Sequence, residues 1–177
     1  MNMKKGEFLL VTTKHRKEEL AKVEILDTLY PFDPEVKVEK VSTNNLLVKL
    51  KNIRRKEAIE LLRVRSTAYI YRIIPVDLIL RTCDESSLKK LCLELAKSKI
   101  PSGVTFAVRC RKRGKVIKNS SEFERELGRM IRESIEGVKV KLRNPSYIVM
   151  VQVLGEAAFI SIIGPDELVR KKVRGEL

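Results

Sequence analysis

Residues 109–118 carry the most concentrated charge in this chain of 177 residues. The stretch contains six basic residues and no acidic one, and these are Arg109, Arg111, Lys112, Arg113, Lys115 and Lys118. Arginine binds a phosphate through two parallel hydrogen bonds and stacks its flat face on a nucleobase, so these residue types suit a polyanion. Nucleic acid is the leading class of partner, and an anionic membrane surface is the second.

Further basic residues extend this charge toward the C-terminus. One group has helical spacing and consists of Arg125, Arg129 and Arg132, and the other consists of Lys141 and Arg143 with the adjacent Asn144. The alternative is that each charge is an ordinary solvated surface charge. Glu126 and Glu133 stand at helical spacing from Arg129, so local pairing could neutralise part of the row.

Two serines stand immediately before the helical arginine row. Ser121 and Glu124 have the spacing of a capping box, in which each side chain accepts a hydrogen bond from the backbone N–H of the other. The free N–H groups and the dipole of a helix N-terminus also attract anions. Ser120 and Ser121 are therefore candidates both for capping and for holding a phosphate or a terminal ribose.

Motifs that carry catalysis are missing from the sequence. It contains no glycine-rich dinucleotide loop, no P-loop and no zinc-deaminase signature. His15 is the only histidine, and Cys83, Cys92 and Cys110 form no CxxC pair. We therefore expect no catalytic residue, no metal site and no cofactor, with reduced thiols in a cytoplasmic protein.

The overall composition limits the classes of protein that fit. Hydrophobic residues make up 44% of the chain, enough for a core, and the formal net charge is +14. No run of about 18 apolar residues exists, so we expect no transmembrane span. The abundance of Lys, Arg, Glu and Ile is typical of thermophile-like, often archaeal, proteins.

The first 76 residues predict a β-α-β-β-α-β order, the ferredoxin-like arrangement of an antiparallel sheet backed by two helices. The predicted strands are residues 7–12, a hairpin of 36–42 and 46–51, and residues 67–76; the predicted helices are residues 16–29 and 54–63. The apolar face of the first helix is predicted to consist of Leu20, Val23, Ile25, Leu26 and Leu29.

The second half predicts another α/β unit. Residues 86–99 and 121–136 have helical periodicity, residues 105–112 and 139–142 read as strands, and residues 147–154 and 157–163 form a hairpin across Gly155-Glu156. On residues 105–112 the inward face holds Phe106, Val108 and Cys110, while Arg109, Arg111 and Arg113 share the other face.

The chain is expected to divide into three parts. Residues 1–76 form a ferredoxin-like domain, residues 77–164 a second α/β domain, and residues 165–177 a basic tail of one or two helical turns. Residues 79–177 contain 21 basic and 12 acidic residues, so most of the excess positive charge lies in this half.

The helix predicted at residues 121–136 has two opposite faces. Its apolar face consists of Phe123, Leu127, Met130, Ile131 and Ile135, and the arginine row lies on nearly the opposite side. Gly128 lies between the two faces. Because a mid-helix glycine costs about 1 kcal/mol relative to alanine, we expect another backbone to approach closely there.

Residues 80–163 resemble the THUMP domain. The resemblance is carried, in order, by FAVRCRKRG from Phe106, NSSEFERELGRMI from Asn119 and KVKLRNPSYIVMVQV from Lys139. An acidic residue is common in the family after the pair matched by Asn144-Pro145, and Ser146 stands there in this chain. The preceding ferredoxin-like unit also resembles the usual neighbour of THUMP domains.

The resemblance implies a non-catalytic module that binds tRNA at the acceptor stem and the single-stranded 3′ CCA end. It would present a distant nucleotide to a separate modifying enzyme. The arrangement is similar to the accessory subunit of tRNA cytidine N4-acetylation, which implies an acetyltransferase partner. Two alternatives stay open, namely the RNA-binding subunit of a split tRNA methyltransferase or thiouridylase, and a general basic RNA-binding protein.

Overall fold

The computed structural model describes residues 2–81 and 83–171, which form two compact units. The first unit comprises residues 6–76 and the chain from Asp166 onward; the second comprises the chain up to Lys5 and residues 77–165. The mixed α/β fold is confirmed. In chain order the elements are β1 (Asn2–Lys4), β2 (Phe8–Thr13), α1 (Glu18–Leu29), β3 (Lys37–Ser42), β4 (Asn45–Lys49), α2 (Arg55–Val64), β5 (Ile70–Val76), β6 (Leu78–Arg81), α3 (Glu85–Lys99), β7 (Thr105–Arg113), α4 (Ser120–Ser134), β8 (Lys139–Val140), β9 (Tyr147–Leu154), β10 (Ala157–Ile163) and β11 (Val169–Arg170).

The short strands β1, β6 and β11 were not predicted from the sequence, and β1 and β11 join the two ends of the chain to the sheets. β1 pairs with β6, and β11 pairs with β5, both antiparallel. The units therefore differ from the expected spans at both ends of the chain. Val169 and Arg170 form a strand rather than the expected helical turn, and residues 172–177 of the expected tail lie outside the described residues.

The first unit has a five-stranded sheet in the order β11-β5-β2-β4-β3, and every neighbouring pair is antiparallel. Its core elements follow the expected β-α-β-β-α-β order. The β3–β4 hairpin turns at Asn44, whose φ of 63° is a left-handed conformation that asparagine tolerates better than most residues.

The buried face of α1 differs from the one that the sequence pattern predicted. Ala21, Ile25 and Leu29 are fully buried, whereas Leu20 and Val23 are 42% and 54% exposed. The prediction that Leu20 and Val23 belong to the apolar face was therefore wrong. Residues 21, 25 and 29 repeat every four positions and form one stripe, and Leu20 and Val23 lie beside that stripe.

Glu18, the first residue of α1, links the helix to the turn of the hairpin. Its carboxylate accepts a hydrogen bond from the backbone N–H of Asn44 at 2.8 Å and pairs with Lys40 at 3.2 Å. The Asn44 N–H, with help from Lys40, lowers the pKa of Glu18 from 4.5 to about 2. The folded chain therefore favours the charged form of Glu18.

Replacing Glu18 by Gln is expected to lower the thermal stability of the chain at neutral pH. A carboxyl group whose pKa is lower in the folded chain stabilises the fold above its unfolded pKa, and this contribution disappears as the pH falls through the folded pKa. The difference in melting temperature between wild type and Glu18→Gln should therefore shrink as the pH is lowered from about 5 to about 2. Glu19→Gln, an exposed change on the same helix, is the matched control and should melt like wild type. A Glu18→Gln difference that stays constant across this window would contradict the role of the charge.

The second unit has a six-stranded sheet in the order β1-β6-β10-β9-β7-β8. β7 runs parallel to both of its neighbours, and the other pairs are antiparallel. Helices α3 and α4 cover one face, and their buried side chains share one core with Phe106, Val108 and Cys110 of β7. The hairpin of β9 and β10 has the predicted bounds.

Two glycines close one end of this sheet. Gly155 lies in the β9–β10 turn with φ of 63°. The backbone N–H of Gly155 donates to the carbonyl of Arg113 at the end of β7. A Cβ on Gly114 would lie 2.5 Å from the carbonyl oxygen of Gly155, which is too close for any other residue type. Glycine at position 114 therefore lets the end of β7 approach the hairpin turn.

Within residues 2–81 and 83–171, no helix has the length and apolar character needed to cross a membrane.

Candidate nucleic-acid interface

The strand β7 separates its arginines from its apolar residues. Phe106, Val108 and Cys110 lie in the core beneath α3 and α4. Because successive side chains of a strand point to opposite faces, Arg109, Arg111 and Arg113 project from the sheet face away from these helices. The strand extends to Arg113, so all three arginines belong to it, as predicted.

The helix α4 begins one residue earlier than predicted, and the predicted capping box is absent. Asn119 is the N-cap, and its side chain accepts a hydrogen bond from the backbone N–H of Glu122 at 3.1 Å. The capping-box prediction for Ser121 and Glu124 was therefore wrong, because Asn119 already occupies the capping position and Glu122 stands three residues after it. Glu124 instead accepts a hydrogen bond from the backbone N–H of Cys110 at 2.6 Å.

The two faces of α4 match most of the predicted wheel. Phe123, Leu127 and Ile131 are fully buried, while Met130 and Ile135 are only partly covered. The arginine row of Arg125, Arg129 and Arg132 is exposed along the outer face.

Only one residue of this arginine row has an ion-pair partner among the described residues. Arg129 pairs with Glu133 at 3.4 Å, as the spacing predicted. Glu126 does not pair with Arg129, and this possibility was wrong, because Lys89 binds the Glu126 carboxylate. The carboxylates of Glu126 and Glu85 raise the pKa of Lys89 and keep it charged.

An open groove of about 470 Å³ runs between α4 and the segment that contains β8. The arginine row lines one side, and the exposed Val140 and Leu142 line the other. Val108 and Gly128 lie at its base, and Ser121 and Glu124 complete the lining. We call this feature the α4 groove. It combines an apolar base with cationic side chains, and its volume lies within the range of roughly 300–1,000 Å³ that is usual for small-molecule sites.

Gly128 leaves space at the base of the α4 groove. A Cβ built on it would meet only the Cγ2 atom of Val108, at an ordinary contact distance of 3.8 Å. The expectation that another backbone approaches closely there was therefore wrong. The missing side chain enlarges the groove instead.

Two basic residues of the 109–118 stretch bind backbone carbonyl groups of other segments. The ammonium group of Lys112 donates to the carbonyls of Ile117 and Lys118 at 2.9 and 2.8 Å. The guanidinium of Arg109 donates to the carbonyl of Leu142. These contacts hold the loop before α4 and the segment after β8 in position.

The remaining predicted residues fall at three other places. Lys115 and Lys118 are exposed in the loop before α4, where the backbone N–H of Lys118 donates to Glu85 at 3.0 Å. Lys141, Arg143 and Asn144 are exposed beyond β8. Ser120 begins α4 and is partly covered.

The structure thus brings together only some of the predicted residues. Ser121 and the arginine row share the α4 groove, whereas Arg111 and Arg113 lie on the opposite face of the sheet. The sequence prediction missed Glu124 as a groove residue, together with the apolar groove residues, which are Val108, Val140 and Leu142. The unexplained Gly128 was the signal in the sequence that pointed to this place.

The thiols and acidic groups offer no metal site among the described residues. Cys92 and Cys110 are buried, and burial raises the pKa of both thiols. Cys83 is half-buried, and burial raises its pKa as well. All three cysteines are free.

Replacing Asn119 by Ala should destabilise the second unit by about 1 kcal/mol, because α4 loses its N-cap hydrogen bond. Ser121→Ala removes an exposed polar group from the first turn of α4 and leaves the cap in place, so it is the matched control. Urea unfolding of the two variants measures the difference. Equal losses for both would contradict the assignment of Asn119 as the cap.

Comparison with known proteins agrees with the fold of the second unit. Residues 83–163 match the family model of the THUMP domain. The predicted THUMP domain is therefore confirmed for this part of the chain. Among curated proteins, the tRNA sulfurtransferase of Aliivibrio salmonicida (strain LFI1238) is 37% identical over 73 residues, which is 41% of this chain and 15% of that protein.

Two solved structures share the fold over most of the chain. One is a 4-thiouridine synthetase that was crystallised in complex with RNA and ATP. The match covers 92% of this chain and 41% of the synthetase chain, with a TM-score of 0.64 and 21% sequence identity. The other is TrmN from Thermus thermophilus. The match covers 93% of this chain and 46% of the TrmN chain, with a TM-score of 0.63 and 22% sequence identity. The chain spans less than half the length of each of these proteins.

Proposed function

We propose, from the THUMP domain at residues 83–163, that this chain is a tRNA-binding module that serves a tRNA-modifying enzyme. The observation that carries this proposal is the α4 groove, where an exposed arginine row borders an apolar base. Only Arg129 of that row has an ion-pair partner among the described residues, so Arg125 and Arg132 are available to bind phosphate. The names of a curated relative and of a solved structure, which refer to tRNA and to an RNA complex, support this ligand.

The groove suits the single-stranded end of the acceptor stem better than the stem itself. Duplex RNA offers mainly phosphates and 2′-hydroxyl groups, whereas unpaired nucleotides also expose the faces of their bases. Arg125 and Arg132 would bind the phosphates, and Val140 and Leu142 would contact the base. The exposed Lys141 and Arg143 would extend the positive surface along the RNA. We therefore propose the 3′ CCA end as the segment held by the second unit, with the first unit as its ferredoxin-like neighbour.

The chain is proposed to supply binding, and a separate protein to supply the chemistry. Two classes of modification are candidates. The resemblance to the accessory subunit of cytidine acetylation supports an acetyltransferase partner. The similarity to a tRNA sulfurtransferase supports sulfur transfer at least as well, and methylation stays a further alternative.

Removing Arg125 and Arg132 together is expected to weaken tRNA binding roughly ten-fold, because each phosphate contact releases counterions. The double variant Arg125→Ala/Arg132→Ala should also lower the slope of log affinity against log salt by about 1.4, at about 0.7 per contact to a single strand. Fluorescence anisotropy across a salt series measures both quantities. Lys90→Ala/Lys97→Ala on α3 removes the same charge from the same unit and is the matched control. If both double variants lose the same affinity, the loss comes from the lower net charge of the unit, and the α4 groove is not the tRNA-binding site.

Removing the 3′ CCA sequence from tRNA is expected to lower its affinity several-fold, because the α4 groove then loses its unpaired nucleotides. The comparison uses one tRNA transcript with and without CCA, at one salt concentration. Equal affinity for the two transcripts would contradict recognition of the 3′ end and favour a general basic RNA-binding protein.

The class of modification can be tested in a strain that lacks this chain. Mass spectrometry of nucleosides from its tRNA should show the loss of one modified nucleoside. Loss of N4-acetylcytidine would support the acetylation adaptor, and loss of 4-thiouridine would support the sulfur-transfer alternative. An unchanged nucleoside profile would contradict a role in tRNA modification.

A further inference from the structure

The outer face of α1 exposes an apolar surface that the core of the first unit does not use. Leu20 and Val23 lie outside the buried stripe of the helix, and Tyr30 follows them at helical spacing. Tyr30 is 59% exposed, and Phe32, two residues further on, is 50% exposed. Single apolar side chains are ordinary on a protein surface, whereas a group that includes two aromatic rings is typical of an interaction site.

The two aromatic residues stand on a firmly held part of the backbone. The backbone N–H of Tyr30 donates to the carbonyl of Leu26 at 2.8 Å, so Tyr30 continues the helix. Asp33 is fully buried, and its carboxylate accepts hydrogen bonds from the backbone N–H of Lys51 at 2.7 Å and from the side-chain amide of Asn52 at 3.0 Å. The backbone that presents these rings is therefore already ordered, so a partner that binds them pays little entropy to order it.

The exposed charges at the two ends of this face have the unfavourable sign for their own helix. Lys17 is the N-cap of α1 and makes no side-chain capping hydrogen bond, and the exposed Arg16 precedes it. Asp27 is exposed in the last turn, which contains no basic residue. The start of a helix favours negative charge, which Glu18 and Glu19 supply in the first turn, and its end favours positive charge. Lys17 and Asp27 have no ion-pair partner among the described residues.

We infer that the outer face of α1 is the interface of a homodimer, in which two α1 helices pack antiparallel about a two-fold axis. Across such an axis, residue i of one chain contacts residue j of the other, and j contacts i. An axis that passes between Leu20 and Val23 brings these two side chains together, and Lys17 of each chain then lies opposite Asp27 of the other. This inference goes beyond the proposed function and does not depend on it.

A second copy of the chain matches the charges of this face. In the antiparallel pair, Lys17 lies near the negative end of the other helix as well as near its Asp27, and Asp27 lies near the positive end. Each charge that is unfavourable for its own helix is therefore favourable for the partner helix. Tyr30 and Phe32 would lie beside Arg16 of the other chain, and the face of an aromatic ring attracts such a cation.

Sedimentation velocity of the whole chain, without RNA and from roughly 1 to 100 µM, tests the proposal. The wild type should change from monomer to dimer across this range, because a small interface gives weak association. A chain that is monomeric at every concentration would overturn the proposal and leave the outer face of α1 to a different protein.

Val23→Glu places a carboxylate at the centre of the interface, where the two copies would bring like charges together. The dissociation constant of the dimer should rise about ten-fold or more. Val64→Glu makes the same change at the end of α2, where Val64 is 81% exposed, and this control should associate like wild type. Equal association of wild type and Val23→Glu would overturn the proposal, because the contact would then lie elsewhere.

Lys17→Glu and Asp27→Lys test the antiparallel arrangement. Each single change introduces the sign that its helix end favours, so the dilute monomer should keep its melting temperature while the dissociation constant rises several-fold. The double variant exchanges the two signs, so opposite charges meet again across the axis and it should associate more tightly than either single variant. A double variant that associates no better than the single variants would overturn the proposal.

The tRNA experiments are separate from this test, since sedimentation is measured without RNA. Dimerisation of a wild type that fails to bind tRNA would overturn the proposed function and support the interface at α1. A wild type that binds tRNA and stays monomeric would overturn only the interface.

Discussion

The packing of α4 against β7 determines what the second unit presents to solvent. Phe123, Leu127 and Ile131 are fully buried in the same core as Phe106 and Val108. Because an α-helix repeats every 3.6 residues, burying this stripe forces Arg125, Arg129 and Arg132 to the outside. The hydrogen bond from the Cys110 N–H to Glu124 fixes the helix to the strand at one point. The positive row and the groove beside it are therefore consequences of hydrophobic burial and of one polar contact.

The basic residues divide into two groups with different physical roles. Lys112 and Arg109 donate to backbone carbonyls and so position the loop before α4 and the segment after β8. The segment after β8 carries Leu142, which belongs to the wall of the α4 groove. The exposed arginine row carries the charge that a polyanion would meet. A count of charges in residues 109–118 cannot separate the two groups, because Lys and Arg serve both purposes.

Much of the fold could be predicted from the sequence, because its strongest patterns come from burial. The hairpin of residues 147–154 and 157–163 was predicted with its bounds, since its alternation and its Gly155 turn agree. The strands β1 and β11 could not be predicted, because two- and three-residue strands carry no periodicity and depend on partners far along the chain. Leu20 and Val23 were misplaced because apolar residues also occur on exposed faces.

The candidate site was harder to predict than the fold. The arginine row followed from the helical wheel, but the groove beside it depends on Val140 and Leu142, which the chain reaches only after α4 has ended. The role of Glu124 was misread because its spacing from Ser121 resembles a cap, whereas Asn119 makes that contact. The mid-helix Gly128 did indicate the position of the groove. Close approach of another backbone was the wrong explanation for this glycine, because open space surrounds it.

Photo-crosslinking from the 3′ end of a tRNA would show directly whether the α4 groove holds that end. A tRNA that carries 4-thiouridine in place of the penultimate cytidine would be irradiated with the chain, and the crosslinked peptides would be identified by mass spectrometry. If the α4 groove holds the 3′ end, crosslinks are expected in peptides that contain residues 120–142, on α4 and the wall of its groove. Crosslinks confined to residues 6–76, or to the face of β7 that carries Arg111 and Arg113, would contradict binding of the 3′ end in the α4 groove.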